Sequence, residues 1–187
     1  MPVTDKWKDM DGAVCVLAGG GSRRMGKNKA RLKLAGVSLL RHTIRSVSFL
    51  NWPVHVIRHD RIQKCGPLSG IYTAFLNTQK QVLLILPCDM PLLTSALLLE
   101  LLQKFDNSSH GIFSFAGDRY GFPILLKRKS MDGILNQIEQ GDYSIQSLAE
   151  RLPGMKYTVP KEKTRELMNI NTTKELTHAA SLVSKNH

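Results

Sequence analysis

Apolar positions along the chain fall into two alternating kinds of run. Short strand-like stretches occur at Ala13–Val16, at the β-branched Pro53–Ile57 and at Gln81–Leu86, a continuous apolar run of the kind found in strands covered by helices on both faces. The last of these is the expected central strand. Between them, Leu39, Leu40, Thr43, Ile44, Val47 and Leu50 recur near helical spacing and predict one amphipathic helix over Ser38–Leu50. Ile71, Ala74 and Phe75 predict a second helix behind a turn at Gly66–Gly70. Thr94 or Ser95 is expected to cap a leucine-rich third helix that runs to about Phe105. The second half predicts strands at Gly111–Phe115 and Gly121–Leu126, a helix from Met131 closed by Gly141, and a helix from Ser144 to Leu152 stopped by Pro153-Gly154. A strand-like run at Lys156–Val159, a charged turn at Lys161–Arg165 and a final helix from Thr173 complete the chain. Strands alternating with helices imply an α/β fold, a Rossmann-like three-layer sandwich with a mostly parallel central sheet and right-handed crossovers. Ligands of such sheets bind beyond the carboxyl ends of the strands, where Leu17 to Gly21 and Pro87 to Asp89 fall.

Composition narrows this picture only modestly. A chain of 187 residues with 42% hydrophobic content is expected to build one well-cored domain. Its 26 Lys and Arg against 15 Asp and Glu give a net charge of +11, which favours phosphorylated or otherwise anionic partners. An aromatic content of 6%, with no strand that interleaves aromatic and basic residues, argues against a nucleic-acid-binding module. Cys15, Cys65 and Cys88 are odd in number and widely spaced, so they read as free thiols of a reducing, cytoplasmic setting. Met1 to Met10 lacks the apolar core of a signal peptide, and no apolar run approaches the roughly 18 residues of a membrane span.

The chemistry concentrates in Leu17-Ala18-Gly19-Gly20-Gly21-Ser22-Arg23-Arg24-Met25-Gly26-Lys27-Asn28-Lys29, directly after the first strand. Consecutive glycines allow close backbone approach to a ligand, and Arg23, Arg24, Lys27 and Lys29 supply positive charge, a combination suited to phosphates. A dinucleotide fingerprint fails because Arg24 stands at the third glycine position. A phosphate-binding P-loop fails because Asn28 stands where a hydroxyl must reach magnesium. A second candidate is Asp89, which follows the central strand between Pro87 and Pro91; a carboxylate there can supply one oxygen to Mg²⁺, or alternatively cap the next helix.

Leu17 through Lys29 closely resembles the nucleotidyltransferase pattern L-A-G-G-x-S-x-R-M-G-x-x-K, and Pro87-Cys88-Asp89-Met90-Pro91 resembles the P-C-D-x-P segment of the same enzymes. Gly66-Pro67-Leu68-Ser69-Gly70 is similar to G-P-L-x-G, Gly121-Phe122-Pro123 falls where a short G/H-x-P turn is expected, and Asn169-Ile170-Asn171-Thr172 resembles N-x-N-T. Together these motifs, from residue 13 to about 176, resemble the molybdenum cofactor guanylyltransferase family. The resemblance implies transfer of GMP from GTP to molybdopterin, with Mg²⁺ as cofactor and pyrophosphate released. It implies that Leu17, Ala18, Gly19, Gly20, Gly21, Ser22, Asp60, Gly66, Pro67 and Leu68 surround the nucleotide, that Arg24 and Lys29 grip the triphosphate, and that Asp89 carries the metal. Asn169 and Asn171 would lie on the acceptor side, although both are also good turn and cap residues. Residues 13–105 would form the nucleotide-binding half and 106–187 the acceptor-binding half, with 1–12 flexible, and molybdopterin-carrying or molybdoenzyme-associated proteins are the implied partners.

Two positions depart from the pattern. Asn28 replaces the aspartate of many relatives, and the interval from Ser46 to Cys65 has room for about one strand at ~3.3 Å per residue, where relatives commonly fit strand, helix and strand. The nucleotide-contacting aspartate that the resemblance implies a few residues before G-P-L-x-G is Asp60, whereas an asparagine contact expected from that interval has no counterpart here. A cytidylyltransferase or sugar-phosphate nucleotidyltransferase shares the same loop and metal aspartate, and a noncatalytic GTP sensor would share the binding alone.

Overall fold

The computed structural model describes residues 6–19, 32–62 and 66–184. Eight strands occur among them: β1 (Gly12–Leu17), β2 (Lys33–Leu34), β3 (Val37–Ser38), β4 (Val54–Ile57), β5 (Val82–Pro87), β6 (Gly111–Ala116), β7 (Arg119–Lys127) and β8 (Met155–Thr158). The helices are α1 (Leu39–Ser46), α2 (Gly66–Leu76), α3 (Ser95–Lys104), α4 (Met131–Glu139), α5 (Ile145–Arg151) and α6 (Thr173–Ser184). Six strands form one sheet in the order β4-β1-β5-β7-β6-β8, and β2-β3 form a separate small ribbon.

The sheet is mostly parallel as expected, with one reversal. β4, β1 and β5 run parallel, β7 runs antiparallel to both β5 and β6, and β8 returns parallel to β6. The cause is local: β6 and β7 are joined through Gly117 and Asp118, too short a link for any crossover, so β7 must fold back as a hairpin. It lodges between β5 and β6, which leaves β8 to pair on the far side of β6.

Strand residues alternate between two cores. Val14, Val16, Leu84, Leu86, Ile112 and Leu125 face the layer that holds α3. Ala13, Cys15, Leu83, Ile85, Phe113 and Ile124 face α2, α4 and α5. Because both faces are covered, β1 and β5 read as unbroken apolar runs, and truncating a buried leucine such as Leu84 to alanine costs about 2–5 kcal/mol. Residues 6–9 form a short 3-10 turn that brings Trp7 into the first core, edge-on to Phe49, so the fold begins earlier than the expected boundary at residue 13.

Several expected boundaries shift for physical reasons. The helix predicted over Ser38–Leu50 is α1 plus a 3-10 turn at Ser48–Leu50, broken at Val47. Ser46 and Ser48 donate to the carbonyls of Thr43 and Arg45, competing with continued helix, and Asn51 closes the turn in the left-handed conformation. Ser38 is the cap of α1, accepting from the Arg41 amide. The turn predicted at Gly66–Gly70 is the first turn of α2 itself, with Pro67 at a position where a missing N–H has no cost. Gly121-Phe122-Pro123 lies inside β7 rather than in a turn, at a bulge where pairing jumps between Phe113/Ile124 and Ser114/Gly121. The charged turn at Lys161–Arg165 is a 3-10 helix over Lys161–Leu167. Between Ser46 and Asp60 the only strand among the described residues is β4, in keeping with the short interval.

Candidate active site

Register places Leu17, Ile57 and Pro87 side by side, so the exits of β1, β4 and β5 open at one level of one edge. Backbone bonds fuse these exits. The Ala18 amide donates to the Ile57 carbonyl at 2.8 Å, and the Cys88 amide donates to the Leu17 carbonyl at 3.0 Å. Gly19 lies so close to the chain leaving β4 that a Cβ there would fall 2.8 Å from the Arg58 carbonyl oxygen. This glycine is therefore required by the protein's own backbone, before any ligand arrives. Gly20, Gly21, Ser22, Arg24 and Lys29 lie outside the described residues, as does Cys65. The chain resumes at Leu32, whose carbonyl accepts from the Leu39 amide as the β2-β3 ribbon closes.

Asp60 follows β4 at this edge, beside the start of α2. Its Oδ2 lies 2.9 Å from Ser69 Oγ, and the neighbouring Arg61 amide donates to Thr73 Oγ1 at 2.9 Å. Gly66 and Pro67 are exposed at the start of α2, whereas Leu68 is buried in the core, so Leu68 can meet a ligand only through its backbone. Gly70 matters to the close fit, since a Cβ there would stand 3.3 Å from the Leu17 side chain and 3.7 Å from Asp60 Oδ1.

Asp89 is half-buried just past β5, and its carbonyl accepts the Ile170 amide at 2.8 Å. The alternative role of helix cap belongs instead to Thr94, whose hydroxyl accepts from the Leu97 amide at 3.2 Å. Thr94 is itself held by Glu166 Oε2, which accepts from its amide at 3.1 Å and its hydroxyl at 2.5 Å. Among the described residues no three His, Cys, Asp or Glu side chains gather as a metal cage. Mg²⁺ is usually held by one or two carboxylates together with substrate phosphates, and Asp89 at this edge fits that mode.

The bond from Ile170 brings Asn169 and Asn171, both exposed, to the side of Asp89. Two residues just beyond them cap α6. Thr172 and Glu175 do so reciprocally: Thr172 Oγ1 accepts the Glu175 amide, and Glu175 Oε2 accepts the amides of Asn171 and Thr172 at 2.6 and 2.8 Å. Under this corner lies a third small core of Leu34, Leu39, Ile170 and Ala179, with Leu32, Leu92 and Met168 packed against it. It binds together the chain re-entering after residue 31, the segment after Asp89 and the Asn169–Asn171 stretch. Sequence patterning misses both this core and Glu166, because their partners are far apart in the chain, 72 residues in the case of Thr94 and Glu166.

Cys15 and Cys88 are buried thiols outside any disulfide, and burial pushes the Cys15 thiol up to about 12. Among the described residues, what this edge brings together is two carboxylates, Asp60 and Asp89, and two exposed amide side chains, Asn169 and Asn171.

Residues 14–155 match the MobA-like NTP transferase domain, across most of the chain. The chain belongs to this family. A relative from Flavobacterium johnsoniae, described as a probable molybdenum cofactor guanylyltransferase, is 27% identical over 176 residues, covering 86% of this chain and 92% of the relative. A molybdenum cofactor guanylyltransferase from Shewanella frigidimarina is 26% identical over 200 residues, covering 91% and 96% respectively. The crystal structure of molybdopterin-guanine dinucleotide biosynthesis protein A from Archaeoglobus fulgidus superposes with a TM-score of 0.72 at 22% identity, covering 92% of this chain and 99% of that one. The MobA-like fold and the edge described above thus coincide in one chain.

Proposed function

We propose that this MobA-like chain transfers GMP from GTP to molybdopterin, with Asp89 holding Mg²⁺. The observation that supports the reading is the pair of backbone bonds, Cys88 to Leu17 and Ile170 to Asp89, which tie the three motif-bearing segments at Leu17, Cys88-Asp89 and Asn169–Asn171 into one corner of the sheet. The relatives named as molybdenum cofactor guanylyltransferases support the substrate pair.

In the reaction, a terminal phosphate oxygen of molybdopterin forms a bond to the α-phosphorus of GTP, the bond to the β-phosphate breaks, and pyrophosphate leaves. An anionic phosphate needs no general base, so residues act by positioning and charge neutralisation. When bound, Mg²⁺ neutralises charge on the phosphate oxygens. Leu17 to Ser22 cradle the phosphates, and Arg24 and Lys29 pair with the leaving pyrophosphate. Asp60, Gly66, Pro67 and Leu68 border the nucleoside, and Asn169 and Asn171 orient the acceptor. Residues 13–105 thus serve the nucleotide and 106–187 the acceptor, in a cytoplasmic enzyme; among the described residues no helix is long and apolar enough to cross a membrane.

Incubation with molybdopterin, Mg²⁺ and each labelled nucleoside triphosphate in turn, followed by identification of the dinucleotide, tests the assignment. GTP alone is expected to give product. Asp89→Ala is expected to abolish transfer while leaving the fold intact, because Asp89 is not a core residue. Product from CTP instead of GTP, or full activity of Asp89→Ala, refutes the corresponding part.

A further inference from the structure

α2 packs Leu68, Ile71, Ala74 and Phe75 into the second core, yet the same helix buries two hydroxyls completely, Ser69 and Thr73. They stand four residues apart and so one above the other on the helix. Both are directed at the loop after β4. Thr73 Oγ1 accepts from the Arg61 amide at 2.9 Å. Ser69 Oγ lies 2.9 Å from Asp60 Oδ2 and also 2.9 Å from the Gly66 carbonyl. Both neighbours are acceptors, so the single hydroxyl proton serves either the carboxylate or the carbonyl. A carboxylate is the stronger acceptor, and a hydrogen bond to it is the stronger bond.

The fit around the carboxylate is close on its other side as well. Asp60 Oδ1 lies 3.7 Å from the point where a Gly70 Cβ would be, and that same point is 3.3 Å from Leu17, the last residue of β1. The Asp60 side chain is therefore laid over the first turn of α2, one oxygen held by Ser69 and the other beside the exit of the first strand. Position 69 is the open place in G-P-L-x-G, so the serine is this chain's own choice there.

We propose that Ser69 is a positioning residue: its buried hydroxyl orients the Asp60 carboxylate so that Asp60 can accept hydrogen bonds from donors on the bound nucleoside, either base N–H groups or ribose hydroxyls. The proposal rests on the nucleotidyltransferase reading for Asp60. Thr73 fixes the backbone one residue further on, and Ser69 fixes the side chain. Rotation of an unheld carboxylate would cost the nucleotide its pre-arranged acceptor, so the effect falls on binding rather than on the transfer step.

The test is a double-mutant cycle on the full chain with Ser69→Ala, Asp60→Ala and the combination. Calorimetry measures Kd for GTP, CTP, ATP and UTP, for inosine triphosphate, and for the 2′-deoxy form of the tightest binder; steady-state kinetics with molybdopterin separates KM from kcat. Ser69→Ala is expected to weaken the tightest-bound nucleotide about tenfold, with the loss in Kd and KM rather than kcat. In the Asp60→Ala background the same substitution is expected to change Kd less than twofold. If the guanine 2-amino group is the donor, inosine triphosphate is less sensitive to Asp60→Ala than GTP; if the ribose 2′-hydroxyl is, the 2′-deoxy nucleotide is. A tightest nucleotide other than GTP refutes the guanylyl assignment while the cycle is still read on that nucleotide. An equal Kd change from Ser69→Ala in both backgrounds, or a lowered thermal midpoint with unchanged Kd, makes Ser69 a purely structural hydroxyl and overturns the proposal. Binding of no nucleotide overturns it together with the function.

Discussion

Substitution of Gly19 by alanine isolates the role of close approach at the edge. The added Cβ would fall 2.8 Å from the Arg58 carbonyl oxygen and 3.1 Å from its carbon, against 3.4 Å for an ordinary contact, so about 0.6 Å must be found. Neither atom is a flexible side-chain tip. Both belong to the chain leaving β4, which is tied to β1 by the bond from Ala18 to Ile57 and by the Leu17/Ile57 register. Overpacking of this kind costs about 1–3 kcal/mol. Gly19 is not in the left-handed region, so alanine recovers ~0.4–1 kcal/mol by restricting the unfolded chain. The net expectation is a loss of about 1–2 kcal/mol, which lowers the melting midpoint by ~2–8 °C for a chain of this size. Because the strain is relieved by separating the two loops proposed to border the nucleotide, GTP affinity is expected to fall at least tenfold. Gly121→Ala is the stability control, since nothing lies within 4 Å of its added Cβ. Calorimetric melting and GTP titration of both variants decide the matter. If Gly19→Ala melts like Gly121→Ala and binds GTP like the parent, close backbone approach is not what position 19 requires.

Three further expectations follow from other parts of the molecule. Ile170→Ala empties part of the third core and is expected to cost about 2–5 kcal/mol while raising KM for the acceptor, as thermal melting and kinetics will show; an unchanged KM would separate that core from the site. Burial, with Lys129 and Lys127 nearby, holds the His110 imidazole below its ordinary value, so the unfolded chain binds the extra proton. Its contribution is intact above about pH 6.5 and is lost as pH falls below that, so the drop in melting midpoint between about pH 7.5 and 5.5 should be smaller in His110→Leu than in the parent. Cys15, with its thiol raised to about 12, is expected to escape iodoacetamide in the native protein and to react after unfolding, read by mass of its peptide.

Strand existence and helix caps are legible in the chain because they are local. Of the two cap candidates Thr94 and Ser95 it is Thr94 that caps α3, the helix expected from Ser144 starts there with Ser144 as its cap, and the apolar run at Gln81–Leu86 is the buried β5. The carboxyl edge follows from that alternation alone. Other features depend on contacts that no window of sequence contains. The β2-β3 ribbon turns through Ala35 and Gly36, both at positive φ, and alanine is not a residue that announces such a turn. The reversal of β7 depends on which neighbour offers an open strand, and the clamp of Glu166 on Thr94 spans distant segments. The α6 cap was available in principle, since Thr172 and Glu175 have the spacing of a capping box, but the adjacent asparagines compete for the same reading.

The reversed strand also has a mechanical meaning. β4, β1 and β5 come from the first half of the chain, β6, β7 and β8 from the second, and within the sheet the ladder from Val82/Lys127 to Ile85/Ile124 is the seam between them. A ladder of amide bonds resists both opening and sliding, so the two halves cannot swing apart like jaws without tearing it. On the proposed reading, nucleotide and acceptor meet on a floor of fixed width.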